Sequence, residues 1–131
     1  MVKILIIEDD FYIRELYRKT FERAGYAVEV AMDGEQGVAM LKNGKYAIAL
    51  LDIMMPKLNG IDVLKAVRAE DFPSKNVPIF LITNLGQNNI IDEAFKIGAD
   101  GYFLKSQITP NEIISEIGGY LKKIGIETPE V

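Results

Sequence analysis

The 131-residue chain has no cysteine, no histidine and no tryptophan. Lacking cysteine, it has no disulfide framework and no thiolate metal site, which fits a cytoplasmic location. Lacking histidine, it has no imidazole base, nucleophile or ligand. Long hydrophobic runs are also missing. The opening apolar stretch, Val2–Ile7, meets three acids at once. It has neither the length nor the flanks of a signal peptide, and no segment is fit to span a membrane. Positive charge is not in excess: the net charge is −4, which speaks against nucleic acid or an anionic membrane as a direct partner. Hydrophobic residues make up 49 % and charged residues 26 %, a globular balance far from that of disordered chains. The length suits one domain with a core that needs no staples.

What the chain does have is a set of polar residues at the ends of apolar runs. Ile4-Leu5-Ile6-Ile7 is followed by Glu8-Asp9-Asp10, and Ala47-Ile48-Ala49-Leu50-Leu51 by Asp52. Pro78-Ile79-Phe80-Leu81-Ile82 ends on Thr83, and Tyr102-Phe103-Leu104 on Lys105. Carboxylates crowded like Glu8, Asp9 and Asp10 repel one another, and ionising all of them is costly without a cation among them.

Strand and helix patterns alternate throughout. Val2–Ile7 reads as a buried strand, and helical periodicity follows at Ile13, Leu16, Tyr17, Thr20, Phe21 and Ala24, stopped by Gly25. Ala27–Ala31, carrying Glu29, suits an edge strand. Asp33 is placed as an N-cap with Gln36 able to reach back, opening a helix to about Asn43. Ala47–Leu51 is apolar throughout, as a strand covered on both faces requires. A loop punctuated by Pro56 and Gly60 precedes a helix over Ile61–Glu70 with Val63, Leu64 and Val67 inward. Pro78–Ile82 is the fourth strand, Asn89–Ile97 the fourth helix and Gly101–Leu104 the fifth strand. Thr109-Pro110-Asn111-Glu112 is a capping box that launches a last helix to about Ile124. The domain is expected over residues 1–124, with 125–131 a flexible tail. Five strands alternating with five helices predict a parallel, doubly wound α/β sheet of order 2-1-3-4-5, covered on both faces. Ligands in such sheets bind beyond the carboxyl ends of the strands, where the order reverses.

Each polar strand-end has an ordinary reading on its own. Asp10 is an N-cap, Glu8 and Asp9 are loop acids, Asp52 or Thr83 stabilises a turn, and Lys105 is a surface lysine. Together they are the parts of a Mg²⁺-assisted phosphoryl-transfer site. One carboxylate accepts the group, neighbouring acids hold a hard cation through oxygen, and an amine and a hydroxyl steady the transferred oxygens. Having no histidine, the chain cannot carry a phosphohistidine donor itself.

With this set in place, the chain resembles the receiver domains of two-component response regulators, particularly the single-domain chemotaxis type, over residues 2–124. The motifs are the acid cluster, Asp52 followed by Met55-Pro56 and Gly60, then Thr83 and Lys105 in order. The resemblance implies a flavodoxin-like (βα)5 three-layer fold and a signalling role rather than a turnover enzyme. Asp52 would accept a phosphoryl group from a histidine kinase or phosphotransfer protein. Asp9 and Glu8, with Asp52 and the backbone carbonyl of Met54, would hold Mg²⁺ or Mn²⁺. Thr83 would be the switch hydroxyl, Lys105 the phosphate contact and Tyr102 the aromatic that changes rotamer with Thr83, although an ordinary strand aromatic fits Tyr102 as well. Met54 and Asn84 would flank access to Asp52. The face made by the fourth helix, fifth strand and fifth helix would control a partner protein or self-dimerisation. Its extra apolar residues, among them Ile90, Ile91, Ile113 and Ile114, fit either that surface or ordinary core packing.

Two positions depart from the pattern. Asn84 stands where a very small residue is common, so a changed phosphoryl lifetime is expected. Ser106 stands where proline is usual, so the Lys105–Ser106 bond is expected to be trans, because a non-proline cis bond costs about 3 kcal/mol. Three other readings remain open. One is a degenerate receiver that binds partners without phosphorylation. Another is a Mg²⁺-dependent small-molecule phosphatase, against which Met54 stands where a second acid belongs. The third is a flavin site, which the crowded acids would oppose.

Overall fold

Five apolar runs form strands, and each is followed by a helix. The computed structural model describes residues 1–84 and 88–129. Strands β1 (Lys3–Ile7), β2 (Ala27–Ala31), β3 (Ile48–Leu51), β4 (Ile79–Thr83) and β5 (Gly101–Leu104) alternate with helices α1 (Phe11–Arg23), α2 (Gly34–Asn43), α3 (Gly60–Val67), α4 (Asn88–Ile97) and α5 (Pro110–Lys123). The strands pair in parallel in the order β2-β1-β3-β4-β5. This is the expected doubly wound, flavodoxin-like sheet.

The absence of polar alternation in β1 and β3 has a direct cause. Ile4, Ile6, Ile48 and Leu50 pack on one face with Tyr17 and Phe21 of α1 and Ile113, Ile117 and Leu121 of α5. Leu5, Ile7, Ala49 and Leu51 pack on the other with Leu41 of α2 and Val63, Leu64 and Val67 of α3. Both faces are covered, so every position on these two strands except Lys3 is fully buried. Burying each Leu or Ile side chain contributes on the order of 1.5–3 kcal/mol.

The helix caps follow the sequence reading. Asp10, Asp33 and Thr109 each accept a hydrogen bond from the backbone N–H three residues on, and Glu112 reaches back to the Thr109 N–H. Gln36 also reaches back, but to the N–H of Met32 rather than of Asp33. Gly25, at φ +96°, takes the left-handed conformation that ends α1.

Four features differ from expectation. Leu16, placed inward by periodicity, is exposed, and Arg14 is buried in its stead. The inward stripe of α1 is Arg14, Tyr17 and Phe21, continued by the C-cap Ala24, because the guanidinium finds carbonyl acceptors at the end of β1. Helix α3 stops at Val67 rather than Glu70, where Arg68 turns away to bond Gly98 O, Lys75 O and Asp100. Gly60, read as the last loop residue, opens α3 instead and has no positive φ. It is small because a Cβ there would stand 2.5 Å from the carbonyl oxygen of Asp52 and 2.6 Å from Ile53 Cα. The segment after α5 is packed as far as residue 129. The Ile126 N–H donates to Leu121 O at 2.8 Å, the Ile126 side chain joins the α1–α5 core, and Pro129 rests on Gly25. Residues 130 and 131 of the expected tail lie outside the described residues. No helix among the described residues is long and apolar enough to cross a membrane.

Candidate functional site

The sheet brings the four polar strand-ends to one edge. In the parallel ladder Ile7 lies opposite Leu51, and the Asp52 N–H donates to Ile7 O at 3.1 Å, so Glu8 and Asp52 leave the sheet side by side. Thr83 lies opposite Leu104, and the Lys105 N–H donates to Thr83 O at 2.9 Å. Register alone therefore assembles the group. This is the edge beyond β1 and β3, where the strand order reverses.

Glu8, Asp52 and Thr83 are buried, at 1 %, 4 % and 0 % exposure, while Asp9 is exposed. One carboxylate oxygen from each of Glu8, Asp9 and Asp52 falls within 4.8 Å of the others. Lys105 Nζ reaches across from β5 and donates to Glu8 Oε1 at 2.5 Å and to Asp52 Oδ2 at 3.2 Å. The other Asp52 oxygen, Oδ1, accepts from the Met54 N–H at 3.2 Å. Both oxygens are thus fixed by groups on different elements.

The electrostatics follow from burial and crowding. Burial pushes Glu8 up to about 7; its bond to Lys105 opposes this, and the neighbouring Asp52 adds to it. Burial draws the Lys105 ammonium down, but its bond to Glu8 and the charges of Asp52 and Glu8 outweigh burial, and the net direction is upward. Three acids with one amine between them leave negative charge in excess, on hard oxygen donors and with no sulfur or imidazole. That donor set fits Mg²⁺ or Mn²⁺.

The remaining predicted residues lie on the segments that carry this group or adjoin them in sequence. Asp10 caps α1 through Ile13 and donates its own N–H to Glu8 Oε2 at 3.4 Å. Met54 and Asn84 are exposed on the loops after β3 and β4. Tyr102 is exposed and meets Phe95 of α4 edge to face, with centroids 6.1 Å apart. The Lys105–Ser106 bond is trans.

One contributor escaped the sequence reading. Arg14 is 7 % exposed and donates from one guanidinium nitrogen to Glu8 O at 2.9 Å and Asp9 O at 3.4 Å, pinning the turn that carries both acids. Its spacing with Tyr17, Phe21 and Ala24 was the available signal, legible only if a cation is allowed on an inward face.

The chain also matches known proteins in sequence and in fold. Residues 4–118 match the response regulator receiver domain. The chain is 32 % identical over 121 residues to the transcriptional regulatory protein ResD of Bacillus subtilis, covering 92 % of this chain and 48 % of that protein. It spans about half the length of the curated relatives it matches. The Vibrio cholerae chemotaxis protein CheY4 has a similar structure, with a TM-score of 0.83 at 28 % identity, covering 91 % of this chain and 98 % of that one. The receiver domain of the Francisella response regulator 1452 gives 0.85 at 28 % identity, covering 95 % and 99 %. Matched through most of its length in sequence and in fold, the chain belongs to the response regulator receiver domain family.

Proposed function

We propose that the chain is a phosphorylation-driven signalling switch whose phosphoacceptor is Asp52. The observation that carries this reading is the double contact of Lys105 Nζ with Glu8 and Asp52 at the edge where the three carboxylates converge.

In the proposed reaction a carboxylate oxygen of Asp52 attacks the phosphorus of a phosphohistidine on a partner kinase or phosphotransfer protein. The P–N bond breaks, a P–O bond forms, and the imidazole nitrogen leaves with the electron pair. Phosphoryl transfer asks the protein mainly for positioning and charge stabilisation. Positioning comes from the fixed Asp52 carboxylate, held at Oδ1 by the Met54 N–H. Charge stabilisation comes from the Lys105 ammonium, which shifts from Asp52 Oδ2 to a phosphoryl oxygen. Asp9, Glu8, Asp52 and the Met54 carbonyl would hold Mg²⁺ or Mn²⁺. When bound, the cation neutralises the crowded acids and draws charge from the phosphoryl oxygens.

The new charge is read by Thr83. Its side chain is buried at the end of β4, and its hydroxyl follows a phosphoryl oxygen inward. Tyr102, one strand over and exposed against Phe95, turns in as Thr83 moves. The result is a population shift between two packings of the α4–β5–α5 face, which contacts a downstream partner or a second copy. The protein acts as a cytoplasmic relay whose only chemistry is its own phosphorylation and dephosphorylation.

The test is intact-mass measurement after incubation with phosphoramidate and Mg²⁺. Wild type gains one phosphoryl group and Asp52→Asn gains none. Equal labelling of the two rejects Asp52 as the acceptor.

A further inference from the structure

Helices α1 and α5 and the segment after α5 line a groove of about 480 Å³. At its wall lies Tyr26, 5 % exposed, its ring edge to face on Phe21. The Tyr26 hydroxyl has no hydrogen-bond partner among the described residues. Burial pushes that hydroxyl upward, so it stays a neutral donor. The ring is buried, but the hydroxyl is not sealed in: its open side is the groove, where a ligand could take the place of water.

Two further features single out this groove. Arg23 and Lys122 are the only charged residues among the described ones lining it, and neither appears among the ion pairs of those residues. The α5 wall carries consecutive glycines, Gly118 and Gly119, which weaken a helix relative to alanine. Neither is imposed by the fold. A Cβ at Gly118 would meet only the Tyr26 hydroxyl, at an ordinary 3.5 Å, and one at Gly119 would meet nothing within 4 Å. The glycines keep the space above Tyr26 bare.

We propose that this groove binds a small organic anion, its carboxylate or phosphate set between Arg23, Lys122 and the Tyr26 hydroxyl and its apolar body against Ile114 and Pro129. The volume is that of a small-molecule pocket, and a guanidinium with a phenol donor suits an oxyanion. A second copy docked two-fold through this groove would bring its cations toward those of the first, which disfavours that occupant.

Amide NMR of the ¹⁵N-labelled full chain, titrated with phenyl phosphate, benzoate, benzamide and inorganic phosphate, tests the proposal. The expected result is saturable movement of the Tyr26, Gly118 and Gly119 signals with either aromatic anion, and none with neutral benzamide. Phenyl phosphate against benzoate distinguishes a phosphate from a carboxylate head. Tyr26→Phe, which keeps the ring, is expected to weaken binding about tenfold by removing a bond to a charged group. Gly119→Leu, which fills open space, is expected to abolish binding with the thermal midpoint maintained. The proposal is overturned if benzamide binds as well as benzoate, if inorganic phosphate alone matches phenyl phosphate, or if the shifts fall only around Lys105. It is equally overturned if the same signals move with protein concentration alone, which would assign the groove to a second copy.

Discussion

Lys105 Nζ lies 2.5 Å from Glu8 Oε1 and 3.2 Å from Asp52 Oδ2. The cation that the proposed chemistry needs at the phosphoryl group is thus held more closely by a metal-site acid than by the acceptor. In the proposed chemistry a divalent cation that took over Glu8 would release the amine to Asp52 and its phosphoryl oxygens, so metal and lysine compete for Glu8 and metal binding favours phosphate recognition.

With Glu8 proposed as a metal ligand, metal affinity is expected to depend on pH. Glu8, lifted to about 7 chiefly by burial, must lose its proton to serve as a ligand. Mg²⁺ affinity is expected to rise as pH goes from 6 to about 8 and to level off above that. Calorimetric titration across that range checks it, and Glu8→Gln is expected to flatten the profile. The sign for stability runs the other way. A carboxyl whose proton affinity is higher in the folded state stabilises below its free value of 4.5, and that contribution is lost as pH rises through about 7. Each tenfold difference in proton affinity is roughly 1.4 kcal/mol. Metal-free protein is therefore expected to lose stability from this group between pH 5 and 7, and added Mg²⁺ to restore it.

Gly60→Ala is expected to disturb the site from behind. The added methyl would meet the backbone at Asp52 O and Ile53 Cα, and backbone cannot swing aside as a flexible side chain can. A loss of about 1–3 kcal/mol is expected from overpacking, with slower phosphoryl acceptance because the Asp52 carbonyl is displaced. Urea unfolding and the labelling rate measure the two effects. Wild-type values for both would show that the close approach is unimportant.

Arg14→Met keeps much of the buried stem and removes the donor to the Glu8 and Asp9 carbonyls. The expected loss is roughly 1–3 kcal/mol, with weaker Mg²⁺ binding because the turn carrying both acids is released. Comparison with Leu41→Ala separates the two effects. That core variant, on the opposite face of the sheet, is expected to lose about 2–5 kcal/mol while its Mg²⁺ affinity at 20 °C stays near wild type.

Asn84 is exposed directly after Thr83, which is proposed to follow the phosphoryl group. If its side chain narrows the path of water to phosphorylated Asp52, Asn84→Ala changes the hydrolysis rate. Loss of label over time measures this, and identical decay in the two proteins removes Asn84 from any role in lifetime.

Much of the fold was legible because its signals are local. Apolar runs set the strands, Asp10, Asp33 and Thr109 set the helix starts, and Gly25 ended α1. What misled was chemistry that a neighbour satisfies from a distance. Leu16 and Arg14 share a helix, and hydropathy assigns the leucine inward. The carbonyls of Glu8 and Asp9 reverse that preference, and nothing near Arg14 in the chain announces them. Gly60 was read as loop punctuation, whereas it opens α3 and the backbone it must clear belongs to the preceding strand-end.

The kinds of residue at the site are a property of the sequence: acid, acid, hydroxyl and amine, each closing an apolar strand. Their meeting is a property of the parallel register, which sets Ile7 beside Leu51 and Thr83 beside Leu104 and so delivers four distant side chains to one edge. Only folding could decide that Lys105 rests on Glu8, that Glu8 holds its proton to near neutrality, and that Tyr26 faces an open groove. Burial and distance set these properties, and neither exists until the chain has closed on itself.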